Sequence, residues 1–185
     1  MDKETKKICF MFSRYVFIFL LGIGNLFLIY KIVTPITIFL VGKTVTLFGS
    51  IYSLGNLFYF SDFNVMLIPA CVAGSAFFLL VFLVFSTANI SPKKRILALL
   101  TSTAILLLLN YIRIILMISI ANTLYFETVH WIFWNLTSVL FVVVIWFFVA
   151  KIYKINEVPI YSDIKYLISL RNKKPSKHKN KIRKK

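Results

Sequence analysis

The sequence predicts an all-α protein, a polytopic transmembrane helical bundle with four clear spans plus one re-entrant or interfacial hydrophobic segment. Three observations lead there. Of 185 residues, 59% are hydrophobic and the mean hydropathy is +0.85, far above a soluble domain of this length. The apolar residues come in runs of about twenty, the length that crosses a bilayer core. The positive charge is concentrated between and beyond those runs.

Residues 8–30 form the first predicted span. Basic residues precede it and no A-x-A-like cleavage site follows, so it reads as a retained anchor. Residues 32–48 are apolar but interrupted by Pro35, Gly42 and Lys43, which makes them marginal as a span. Residues 49–64 are a polar connection with Gly55-Asn56 and Ser61-Asp62 as turn signals. The second clear span covers 66–85. Ser91-Pro92 is a cap and first-turn pair opening a helix that runs to 121. A short loop over 122–128 precedes the last span, 129–150. There is no internal repeat.

Orientation follows from the basic residues. Lys3, Lys6, Lys7 and Arg14 place the N-terminus in the cytoplasm, Lys93, Lys94 and Arg95 place the middle loop there, and the tail places the C-terminus there. A full crossing by 32–48 would separate these segments, hence its re-entrant or interfacial reading. The expected location is the cell membrane, multi-pass. The chain divides into a membrane domain, 1–155, that carries the candidate chemistry, and a basic cytoplasmic tail, 156–185, expected to be largely disordered.

The net charge of +16 comes from 22 basic and 6 acidic residues, and from Arg171 to Lys185 there are nine Lys or Arg and no acid. A tail so polar cannot bury a core. Holding a terminus against anionic lipid explains it without nucleic acid as a partner. No cysteine–histidine cluster suits a metal and no cofactor is expected. Cys9 and Cys71 fall on opposite sides of the membrane, which excludes a disulfide between them.

Three chemically capable residues fall toward the outer side on separate helices. Cys71 lies about one turn into its span. Arg113 lies about two turns below the outer end of its helix, and His130 opens the last span. Each has a plainer role. A buried cysteine is usually a small hydrophobe, a histidine beside Trp131 suits an interface, and an arginine can snorkel. Yet a guanidinium at membrane depth costs about 2.5 kcal/mol or more, so it normally marks a site. Together they form a coherent set. Pro69 at a helix start would bring the positive end of the dipole to the Cys71 thiol. His130 is the general acid/base candidate. Arg113 is the candidate to stabilise an oxyanion or hold a substrate anion. Asn110, one turn before Arg113, is placed to orient it. Glu127 either orients His130 or is a solvated loop acid.

These residues resemble the exosortase/archaeosortase family: a membrane cysteine near one helix start, an N-x-x-R segment on the next helix and a histidine at the start of the one after. The counterparts here are Cys71, Asn110 with Arg113, and His130. Leu47-Phe48-Gly49, the Gly55-Asn56 turn and the extended stretch that leads from it to Cys71 are also similar. The resemblance covers about residues 35–150, and the short chain is most similar to compact archaeal members. Many members carry Cys-x-Gly-x-x-Ser, whereas this chain has Cys71-Val72-Ala73-Gly74-Ser75, which leaves Ser75 without an assigned role. The resemblance implies a thiol protease acting as a protein-sorting transpeptidase. Its partners would be exported proteins with a C-terminal signal of motif, transmembrane helix and basic end. Cys71 would cut near the motif at the outer face and pass the protein, as a thioester, to an acceptor, with membrane lipid as one candidate. A non-enzymatic transporter or assembly factor, with Arg113 as an anion or partner site, is the main alternative. A lipid-modifying enzyme using His130 and Arg113 on a phosphate headgroup is a weaker one.

Overall fold

The structure is a computed structural model describing residues 3–24, 26–47, 52–61, 63–133 and 138–172. It is mostly helical, with one small sheet. In order come α1 (Lys3–Ile23), α2 (Phe27–Leu47), β1 (Tyr52–Leu54), β2 (Leu57–Tyr59), β3 (Asn64–Met66), α3 (Pro69–Val72), α4 (Gly74–Ser86), α5 (Pro92–Ser119), α6 (Phe126–Ile132), α7 (Ser138–Ile152) and α8 (Tyr161–Asn172). Three described stretches are long and apolar enough to cross a membrane: Phe27–Leu47, Pro69–Ser86 and Pro92–Ser119. Large apolar side chains such as Phe19 (67% exposed) and Phe147 (69%) point out of the bundle, which suits lipid rather than water around it.

The N-terminal third corrects the sequence reading. The helix expected over 8–30 stops at Ile23, where Gly22 and Gly24 weaken it, and Leu26 takes a left-handed conformation with φ 59°. Phe27 N then donates to Gly24 O (2.8 Å) and α2 begins. Residues 32–47 are therefore the body of a 21-residue helix, about 31 Å long, rather than a separate re-entrant segment. Pro35 sits inside that helix without ending it. Its buried residues, Val33, Thr37, Val41 and Val45, recur every fourth position as one stripe. Arg14 bonds Phe85 O, Gly22 meets Phe78, and Gly74 meets Tyr30. So α1 and then α2 run the same way past α4, end to end.

The connection over 49–64 is not all loop, and the fold is not purely α. Gly55 (φ 61°) and Asn56 close a two-residue hairpin whose flanking pair is Leu54↔Leu57, and β3 adds antiparallel to β2. Only Phe58 of β2 is fully buried. It plugs a cluster with Val41, Val45, Leu67 and Ile114. A larger core of Val33, Phe77, Leu80, Leu106, Ile145 and neighbours binds α2, α4, α5 and α7. Phe48, Gly49 and Asp62 lie outside the described residues.

At the opposite end, Ser91 caps α5 with Pro92 in its first turn, as expected. The tail differs from expectation. Residues 161–172 are helical, and Asp163 of α8 is buried against Arg14 Nη2 at 2.7 Å, with Tyr15 Oη donating to the same carboxylate oxygen at 3.0 Å. Ile160 N donating to Ser86 O (3.1 Å) and Lys7 Nζ over the Tyr166 ring (4.1 Å) help this ion pair to seat α8. Residues 173–185 lie outside the described residues.

Candidate functional site

The chain enters the site through a pinned strand end. Leu67 N donates to Asn56 O (2.9 Å), and the Asn56 side-chain amide donates to Leu67 O (3.0 Å). Ile68 is extended, Pro69 opens α3, and after one turn Ala73 adopts φ 58°, ψ 38°. A left-handed alanine costs about 1–2 kcal/mol. The turn therefore breaks where a continuous helix was expected, and α3 is four residues long. Cys71 is in its third position, without the long aligned helix that the dipole argument requires.

That break frees carbonyls. Ala76 N bonds Ala73 O (3.0 Å) instead of Val72 O. The orphaned oxygens are taken from α5. Asn110 Nδ2 donates to Cys71 O (3.1 Å) and to Val72 O (3.4 Å), and Arg113 Nη2 donates to Cys71 O (3.2 Å). Asn110 is 2% exposed. Asn110 and Arg113, one turn apart, thus clamp the peptide that carries the thiol. Asn110 reaches past Arg113 to the cysteine's backbone rather than orienting the guanidinium.

The glycine displacement in the Cys71 motif has a physical counterpart. Position 73, two after the cysteine, is the left-handed residue, yet it holds alanine. Gly74 meets a different need: a Cβ there would lie 2.5 Å from the Tyr30 ring. Ser75 is exposed and does not line the cavity described next.

Cys71, Arg113 and His130 line one cavity of about 350 Å³, within the size range of small-ligand pockets. Its floor is the Cys71 turn. One wall is α5 from Arg113 to Ile118 with Ala121 just beyond it, a second is Phe126, His130 and Phe133, and a third is residues 63–68. His130 lies in the last turn of α6, its ring stacked on Phe126 with centroids 5.6 Å apart. Glu127 is exposed, three residues before it, and is not part of the wall. β3 falls within the extended stretch between the Gly55-Asn56 turn and Cys71, and that turn closes the β1–β2 hairpin.

Among the described residues no group of three or more His, Cys, Asp or Glu could hold a metal ion, and Cys9 and Cys71 are both free. None of the family models, curated proteins or solved structures compared with the chain matches it.

Proposed function

We propose that the chain is a membrane-embedded cysteine transpeptidase or peptidase that cuts exported, C-terminally anchored proteins at the outer membrane face. The observation that carries this is one cavity walled by a thiol, a guanidinium and an imidazole from three separate elements. The sequence resemblance to exosortases and archaeosortases supplies the substrate class and the transfer to an acceptor. The chain crosses the membrane four times: α1 with α2, α3 with α4, α5, and α6 with α7. This keeps both termini and the 87–91 loop cytoplasmic and the cavity outside.

His130 takes the Cys71 proton. The thiolate attacks the scissile carbonyl carbon, and the tetrahedral oxyanion forms beside the Arg113 cation. On collapse the C–N bond breaks and His130 returns the proton to the leaving amine, leaving a thioester on Cys71. An acceptor amine or hydroxyl, or water, then attacks that thioester and the thiol is regenerated. Arg113 also holds the Cys71 carbonyl, so it fixes the attacking residue as well as presenting charge. The test is the size of C-terminally anchored exported proteins in cells whose only copy is Cys71→Ala, Arg113→Ala or His130→Ala. Accumulation of uncut precursor in all three is expected, while unchanged sizes in all three would eliminate the proposal and leave the transporter or assembly-factor reading.

A further inference from the structure

The third wall of the cavity is the edge strand of a sheet. The sheet order is β1-β2-β3, so among the described residues β3 has one strand neighbour. Phe60 N donates to Phe63 O (3.0 Å) and Leu67 N to Asn56 O (2.9 Å). In an antiparallel ladder bonded and non-bonded pairs alternate. With the register Phe58↔Val65, the bonded pairs fall at 60↔63, 58↔65 and 56↔67. Tyr59↔Asn64 and Leu57↔Met66 are the pairs between. The backbone N–H and C=O of Asn64 and Met66 therefore point away from β2. Residues 63–68 line the cavity, but no residue of β1 or β2 does, so the cavity lies off that edge.

We infer that β3 is a docking strand: an extended peptide segment of the substrate adds to its edge away from β2 and is laid across Cys71. This rests on the peptidase reading above and names how its substrate is held. A sheet edge offers alternating donors and acceptors that only another extended backbone matches along its length. Three edge residues span about 10 Å, room for three or four substrate residues. Main-chain pairing fixes the direction of the carbonyls, and it leaves side-chain preference to the apolar walls at Met117, Phe126 and Phe133.

The test is binding, read without turnover. Cys71→Ala protein in lipid nanodiscs is titrated against a fluorescein-labelled hexapeptide of alternating Val and Ser, with empty nanodiscs as the blank, by anisotropy. Single N-methyl groups are then walked along the peptide. Methylation at alternate residues should weaken binding about tenfold, while the intervening positions stay within about twofold. Met66→Pro removes an outward N–H without touching a β2 bond, and should weaken the unmodified peptide by a similar factor. No binding above the blank, or sensitivity without a period of two, overturns the docking strand. So does a protein dimeric through β3 that Met66→Pro disperses and no peptide enters. Failure of the cysteine chemistry shows separately, as this binding pattern in nanodiscs together with unchanged processing in cells that carry only Cys71→Ala.

Discussion

The two ends of the α3–α4 segment solve the same problem in opposite ways. At each end helical carbonyls lose their partners, and at each end guanidinium groups from neighbouring helices supply donors. At the Ser86 end Arg14 bonds Phe85 O (3.2 Å) and Thr87 O (2.7 Å), and Arg95 bonds Val84 O (3.3 Å), Phe85 O (2.8 Å) and Thr87 O (2.9 Å). Asp163 closes that knot, and neither arginine lines the cavity beside Cys71. At the Pro69 end Arg113 and Asn110 hold Cys71 and Val72, and the cavity there is lined by Cys71, Arg113 and His130 together. A buried arginine alone does not mark chemistry. What separates the two ends is the space left next to the cation and the groups facing it.

The sharpest break in that comparison is the pair Arg14→Ala and Arg113→Ala. Arg14→Ala leaves Asp163 buried without its cation and should cost about 3–5 kcal/mol of stability, while turnover per folded molecule stays near wild type. Arg113→Ala should lower turnover a hundredfold to a thousandfold, about 2.7–4 kcal/mol in the transition state, with a smaller stability loss. Unfolding midpoints and cleavage rates of the same purified samples separate the two.

Asn110→Ala comes next. It leaves the Val72 carbonyl without its donor, a loss of about 1–3 kcal/mol, and turnover falls with it because the Cys71 turn loosens. Neighbouring positions should then respond with opposite signs. Ala73→Gly relieves the left-handed alanine and should raise the unfolding midpoint by the equivalent of about 1 kcal/mol. Gly74→Ala forces a methyl toward Tyr30 and should lower stability by about 1–3 kcal/mol.

The smallest effect lies at the Ser86 end. The Ser162 hydroxyl, and then the Asn89 amide, bond the Glu157 carboxylate and hold its pKa below the ordinary value. A depressed carboxylate stabilises the fold above its unfolded pKa and loses that contribution as pH falls through the folded one. Between about pH 6 and about pH 4 the unfolding midpoint should drop slightly more in wild type than in Glu157→Gln.

Much of this was legible in the sequence because lipid simplifies the reading. Apolar length marked α4 and α5, though not the strand at Met66 or the break at Ala73, and the Ser91-Pro92 cap is where it was expected. Cys71, Arg113 and His130 were legible as a set because charged or reactive groups are scarce at that depth. Their contact partners were not. That Asn110 and Arg113 serve the carbonyls at Cys71 depends on the break at Ala73, and an alanine gives no sign of a left-handed residue. The α1–α2 break after Ile23 falls nearly two turns before the interruption expected at 31, because Gly22 and Gly24 sit in an otherwise long apolar run whose overall length suits a single span. The sheet was hidden because each strand is three residues long, too short for alternation to stand out from a loop. Helix α8 depends on Asp163 meeting Arg14 across 149 positions, which no local pattern encodes.

The central claim, that Cys71 forms a covalent intermediate in a cavity shared with Arg113 and His130, is tested most directly by intact-mass analysis. Purified protein is mixed with a C-terminally anchored exported protein and quenched in acid. The account predicts an adduct on Cys71 that hydroxylamine releases, absent in Cys71→Ala and reduced at least a hundredfold in its rate of formation in His130→Ala. Cleavage of that substrate at an undiminished rate by Cys71→Ala would contradict it.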